Sequence, residues 1–338
     1  MGDTVLVTGG SGFIGGWCIV ELLKRGYAVR ATVRSASKAT AVRSVIASVV
    51  DPGDRLTSAV ADLTKDEGWD AAVAGCDYVL HVASPLGGDA PSDPNVLIAP
   101  ARDGTLRILR AATRARVKRV VVTSSVAASC PPVESADSVN DETVWTDPNE
   151  RKLHAYRQSK VLAEQAAWDF MAQNVGTTTL TTVLPGAVFG PVLTTDNLGS
   201  VQVIDRLLSG RLPGNPRLGF NVVDVRDVAD MHIRAMTAPE AAGQRFIAAG
   251  DFMWMSDISN TLRAKLGARA KKVPTRALPD FVLRLASIFD RPLRLVTPNL
   301  GRKHTFTSAK AQRLLDWTPR PAATTLIDCA DSLVARHA

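Results

Sequence analysis

Thr4-Val5-Leu6-Val7-Thr8-Gly9-Gly10-Ser11-Gly12-Phe13-Ile14-Gly15 is the stretch on which the fold turns. A short apolar run ends in a glycine cluster. Apolar residues then recur at helical spacing from Phe13 to Lys24, and Gly26 stops them. Gly10, Gly12 and Gly15 fit the pattern G-x-G-x-x-G between a strand and a helix, the context that pattern requires. Glycines permit the tight turn and let backbone N–H groups approach a pyrophosphate. The helix N-terminus adds a partial positive charge, and the third glycine lets helix and strand pack closely. A dinucleotide site is expected here.

The next strand, Tyr27 to Val33, carries the ribose end of that site. A site for the non-phosphorylated dinucleotide usually places Asp or Glu about 20 residues on. Here no acidic residue stands between Glu21 and Asp51, while Lys24, Arg25, Arg30, Arg34, Lys38 and Arg43 all do. Arg34, with Lys38 from the following turn, is expected to face a 2′-phosphate, so NADP(H) is the expected cofactor. Asp62-Leu63 follows a third strand. Its carboxylate either accepts from an adenine amino group, with Leu63 against the ring, or caps a helix.

Further along, Asp77–Ala83 and Arg119–Thr123 read as strands, Leu97–Ala115 and Ala155–Gln173 as helices, and Thr179–Leu184 as a β-branched strand stopped by Pro185-Gly186. Alternating strands and helices imply parallel βαβ units around a buried sheet. After Pro185 glycine and proline become frequent, and strand patterning returns only at Asn221–Val225 and Arg245–Ala249. The fold expected is α/β: a Rossmann-type doubly wound parallel sheet with a smaller α/β substrate domain. Residues 1–189 and 220–250 are assigned to the dinucleotide-binding part, and residues 190–219 and 251–338 to the substrate part. The Pro-rich stretch from Pro274 to Pro298 is expected to form ordered loops and short helices.

Only three tyrosines occur, Tyr27, Tyr78 and Tyr156. The first two fall in strands. Tyr156-Arg157-Gln158-Ser159-Lys160 places a phenol and an amine at i and i+4 on one helix face. A phenol ordinarily titrates near pH ~10, and a nearby ammonium is expected to lower that value towards the working range. Thr123-Ser124-Ser125 ends a central strand, so its hydroxyls are expected on the ligand side of the sheet.

Taken together, these residues resemble an extended short-chain dehydrogenase/reductase, closest to the group of dihydroflavonol reductases, cinnamoyl-CoA reductases and bacterial and fungal carbonyl reductases. The matching pieces include Thr8–Gly15, Arg30–Arg34, His81-Val82-Ala83-Ser84-Pro85, Thr123–Ser125 and Tyr156–Lys160. They continue through Pro185–Pro191, Val223–Ala229, Gly243–Ile247 and Leu315–Pro319. The resemblance implies that Ser125 bonds a substrate carbonyl, with Ser124 the less favoured choice and otherwise beside the cofactor. It implies that Tyr156 donates a proton, and that Lys160 lowers the phenol's pKa and holds the nicotinamide ribose. Gly9, Gly12, Phe13, Ile14 and Gly15 would lie along the pyrophosphate. Ala83, Ser84 and Pro85 would approach the ribose, and Pro185, Ala187 and Val188 would border the nicotinamide. Plant flavonoid reductases of this kind usually carry a polar residue where this chain has Cys130, which argues against a dihydroflavonol substrate. Leu86, Cys130, Leu193, Asn197 and Phe220 are candidate pocket residues.

The expected activity is therefore NADPH-dependent reduction of an aldehyde or ketone. The alternatives are an NAD-retaining sugar-nucleotide epimerase or dehydratase and a non-catalytic dinucleotide-sensing regulator. The net charge of +7 comes without any block of five or six like charges, which argues against nucleic acid. No apolar run reaches membrane-spanning length, and the first residues lack a signal-peptide pattern, so a cytoplasmic protein is expected. Cys18, Cys76, Cys130 and Cys329 have neither disulfide nor metal-site spacing, and the five histidines form no ligand cluster. No metal is expected. A small-molecule carbonyl compound is the expected partner, with a monomer or homodimer.

Overall fold

The computed structural model describes residues 2–85, 93–133, 135–150, 153–194, 199–289 and 297–337. Strand β1 (Thr4–Thr8) sends Val5 and Val7 into one apolar cluster and Leu6 into another. In β4 (Tyr78–His81) Val79 and Leu80 part in the same way, and in β5 (Arg119–Thr123) Val121 faces away from Val120 and Val122. Strands apolar on both faces need cover on both. With β2 (Ala28–Val33), β3 (Leu56–Val60), β7 (Thr179–Pro185) and β11 (Arg245–Ala248) they form a seven-stranded parallel sheet, in the order β11-β7-β5-β4-β1-β2-β3. Helices α1 (Phe13–Lys24), α2 (Ala36–Ala47) and α7 (Val225–Thr237) cover one face, and α3 (Trp69–Val73), α4 (Asn95–Arg114) and α5 (Ala155–Gln173) the other. This is the doubly wound Rossmann-type sheet. Its strand order reverses between β1 and β4, which opens a crevice at their C-terminal ends.

A second layer stands beside that crevice. Strand β10 (Gly219–Asp224) pairs parallel with β8 (Ala187–Phe189) and antiparallel with β12 (Phe252–Trp254). Helices α6 (Val201–Ser209) and α8 (Met255–Leu266) and the helix Ala322–His337 enclose a separate cluster with this sheet, including Phe189, Val222, Leu262 and Leu326. Residues 187–189 and 219–224 fall in the small sheet, whereas α7 returns to the face of the large one. Short parallel ladders join β6 (Ser138–Asn140) to β14 (His304–Phe306) and β9 (Asn215–Pro216) to β13 (Ala277–Leu278). The Pro-rich stretch contributes the short helix α9 (Asp280–Ala286) and a turn at Thr297–Asn299, while residues 290–296 lie outside the described residues. Among the described residues no helix is long and apolar enough to cross a membrane.

Candidate active site

The glycine turn sits where the sequence places it, between β1 and α1. Gly9 adopts φ +70°, and a Cβ there would stand 2.9 Å from the Ala83 Cα, so the turn lies directly against the chain leaving β4. A Cβ at Gly15 would run into the Gly9 carbonyl. The N-terminus of α1, beginning at Phe13 and Ile14, has no side-chain cap at Gly12 and no acidic residue in its first turn. Its backbone donors and dipole therefore suit a pyrophosphate.

The other wall of the cradle is set by a hydrogen-bond chain. Thr8 Oγ1 accepts from the Val82 and Ala83 N–H groups at 3.0 Å each, so its own proton goes to His81 Nδ1 at 2.9 Å. The imidazole then carries its proton on Nε2 and donates to Thr105 Oγ1 at 3.3 Å, which donates to the Ala101 carbonyl at 2.8 Å. Burial, with the Lys160 charge, holds His81 down to about 3, so the ring is neutral. The Thr8 hydroxyl, oriented by this neutral histidine, holds Val82 and Ala83 beside the glycine turn. Sequence reasoning gave His81 no role. The spacing of Thr8 and His81, each at the end of its strand, was the available signal.

At the far rim of the sheet, Arg34 is exposed directly after β2, and Lys38 is exposed in the first turn of α2. Asp62 accepts from the Thr64 N–H and hydroxyl at 2.8 and 2.7 Å, which closes a turn. It caps no helix, since α3 starts seven residues later from Gly68. Those bonds chiefly, with Arg34 adding, hold the Asp62 carboxyl below its ordinary value. Leu63 packs across Gly104 of α4, where a Cβ would come within 2.7 Å of its Cδ2.

Ser125, Tyr156 and Lys160 come together at the end of β5. Ser125 accepts from the Ala127 N–H at 3.1 Å and shares a hydrogen bond with Tyr156, and Lys160 Nζ lies 5.9 Å from the centre of the Tyr156 ring. The expected lowering of the phenol is not what this geometry gives. Burial pushes Tyr156 above its ordinary value and the Ser125 bond only partly opposes it. Lys160 is itself drawn down to about 8 by burial, with Glu164 opposing.

Ser124 parts from Ser125. Its hydroxyl donates to Glu164 Oε2 at 2.6 Å. Glu164 also accepts from Thr182 Oγ1 at 2.7 Å and from Arg245 Nε at 2.8 Å, with its side chain fully buried. Register places Arg245 of β11 directly opposite Thr182 of β7. The guanidinium continues to the Glu142 and Val144 carbonyls at 2.6 and 3.1 Å and lies 3.6 Å beneath the Trp145 ring centre. Sequence reading passed over Glu164, although Tyr156, Lys160 and Glu164 recur at intervals of four along one helix face.

The remaining candidates divide. Pro185 ends β7, and Ala187 and Val188 open β8, so all three stand where the two sheets meet. Phe220 meets Phe189 edge-on at 6.3 Å. Cys130 is buried, bonds the Val126 carbonyl at 3.1 Å, and has its thiol pushed up by burial, which suits an inert wall residue. Leu193 is a core residue: it packs within 3.0 Å of where a Gly16 Cβ would stand, inside the cluster beneath α1. Leu86 and Asn197 lie outside the described residues.

A nucleotide cradle at the sheet's switch point, with a serine, a tyrosine and a lysine at the neighbouring strand end, defines an extended short-chain dehydrogenase/reductase. The chain belongs to the NAD dependent epimerase/dehydratase family, which it matches over residues 5–249. It is 36% identical to cinnamoyl-CoA reductase 1 of Petunia hybrida, with 77% of each chain covered. It is 32% identical to the ketoreductase azaE of Aspergillus niger over 98% of this chain and 97% of that one. The crystal structure of yeast methylglyoxal/isovaleraldehyde reductase Gre2 complexed with NADPH superposes with a TM-score of 0.82 at 26% identity, covering 99% of both chains.

Proposed function

We propose that this protein is an NADPH-dependent reductase that converts an aldehyde or ketone to an alcohol. The observation that carries the reading is the meeting of Ser125, Tyr156 and Lys160 beside the glycine cradle. Bound NADPH would supply the hydride. Ser125 orients and polarises the carbonyl by donating its hydroxyl proton as a hydrogen bond. Tyr156 delivers a proton to the developing alkoxide. Its raised pKa suits that direction, because a phenol that stays protonated at neutral pH is ready to act as the acid. Lys160, in its charged form, stabilises the phenolate left behind and holds the ribose. Gly9, Gly12, Phe13, Ile14 and Gly15 hold the pyrophosphate, Asp62 and Leu63 border the adenine, and Ala83, Ser84, Pro85, Pro185, Ala187 and Val188 line the ribose and nicotinamide. The reductase relatives and the NADPH-bound yeast structure support the same direction and cofactor.

The test is NADPH oxidation against aryl and aliphatic aldehydes, ketones, diketones and ketoesters. Turnover of at least one class is expected, with NADPH preferred over NADH. Tightly retained NAD in the purified protein, with no turnover, would instead favour the epimerase or dehydratase alternative.

Arg34 and Lys38 are the groups proposed to meet the 2′-phosphate. Arg34→Asp is expected to invert cofactor preference, raising the KM for NADPH by about tenfold to a hundredfold, the cost of a lost charge-assisted bond plus repulsion. Unchanged NADPH affinity would remove Arg34 from the site.

A further inference from the structure

Beyond the catalytic cluster the protein has a basic concavity of about 320 Å³, lined by Arg217, Arg284, Pro298, Leu300, Gly301 and Arg302. Arg217 pairs with Asp280 at 2.9 Å, while Arg284 and Arg302 meet no carboxylate among the described residues. Three arginines thus line one concavity, and one carboxylate partners only the first of them, an arrangement an anion would relieve. Leu300, 4% exposed, gives the concavity an apolar side.

The walls are tied together. Gly301 donates its N–H to the Arg217 carbonyl at 2.7 Å, and the Arg217 guanidinium lies across the face of Gly301 where a side chain would stand. The same loop reaches the catalytic helix: Arg157 Nη2 donates to Asn299 Oδ1 at 3.3 Å, and Arg157 is the residue after Tyr156. His304, two residues past Arg302, is held below its ordinary value by burial first and by Arg157 and Arg302 after it, with Asp137 opposing.

We propose that this concavity is an anion subsite, in which Arg284 and Arg302, with Arg217, bind a carboxylate or phosphate carried by the carbonyl substrate away from its reacting carbon. The inference rests on the reductase reading and narrows its substrate class. Planar guanidiniums match both anions in bidentate geometry, and the Pro298 and Leu300 surface takes the hydrocarbon that joins anion to carbonyl.

The experiment compares para-carboxybenzaldehyde, its methyl ester and para-formylphenyl phosphate as substrates with NADPH, for the natural chain and for Arg284→Gln/Arg302→Gln. A lower KM for a charged aldehyde than for the ester is expected. The double variant should reduce that preference by about tenfold, as expected for loss of exposed charge-assisted bonds, and added salt should act in the same direction. The ranking of carboxylate against phosphate identifies the anion. Equal KM values for acid and ester in the natural chain, or an equal change for both in the variant, would overturn the subsite. If none of the three is reduced, the wider carbonyl panel decides the reductase reading, and calorimetric titration with para-toluate still reads the site. Binding weakened by the double variant then supports it, and binding that is absent or unchanged overturns it.

Discussion

Tyr156→Phe should lower carbonyl-dependent NADPH oxidation by about a hundredfold to ten-thousandfold, the usual worth of a positioned general acid. The loss should appear in kcat and kcat/KM together, because the proton moves only in the transition state. Binding of NADPH should persist, since the glycine cradle and Arg34 lie on other elements. The ring itself stays, stacked beside His154 at 6.2 Å, so the fold is expected to tolerate the change. The pH profile supplies a second readout. With the phenol raised and Lys160 drawn down to about 8, reduction should hold through neutral pH and fall on the alkaline side as Lys160 loses its proton. Turnover in the variant within a few-fold of the natural chain would remove Tyr156 as the acid.

Much of this site was legible because it is local. The glycine turn, the helix from Phe13 to Lys24 and the helix from Ala155 to Gln173 are each written in consecutive residues, and the structure gives both helices those bounds. The parts that were not legible depend on which strand meets which. Asn221–Val225 reads as a strand, but period-two patterning does not say which sheet it joins, and it pairs with β8 instead of entering the large sheet. The choice between Ser124 and Ser125 is likewise tertiary. It turns on Glu164, forty residues on, which captures the first hydroxyl and leaves the second to Tyr156. The packing of Leu193 against Gly16 is tertiary as well, since the two lie far apart in sequence.

The buried cluster around Glu164 should be the most costly place to disturb. Its carboxylate faces Ser124, Thr182 and Arg245, and removing one partner leaves the other charge buried without compensation. Breaking such a pair typically costs about 3–5 kcal/mol. Glu164→Gln, which keeps the shape, is therefore expected to lower the thermal midpoint by on the order of 5–10 °C. Glu164→Gln/Arg245→Gln removes both charges and should recover part of that loss, since two neutral groups can still share hydrogen bonds. Catalysis should not recover in step. Lys160 is faced by Glu164 from its own helix, by His81 from β4 and by the Tyr156 ring, and among these the Glu164 carboxylate is the charge that favours its protonated form. Without Glu164 the lysine should lose its proton at lower pH, below the present value of about 8, so the alkaline limb of kcat/KM should move to lower pH in both variants. A merely structural cluster would change the melting temperature and leave that limb in place. Superimposable pH profiles for the natural chain and the double variant would limit Glu164 to packing. A displaced limb in a variant whose stability is largely restored would make it a positioning residue for the proposed Tyr156–Lys160 pair.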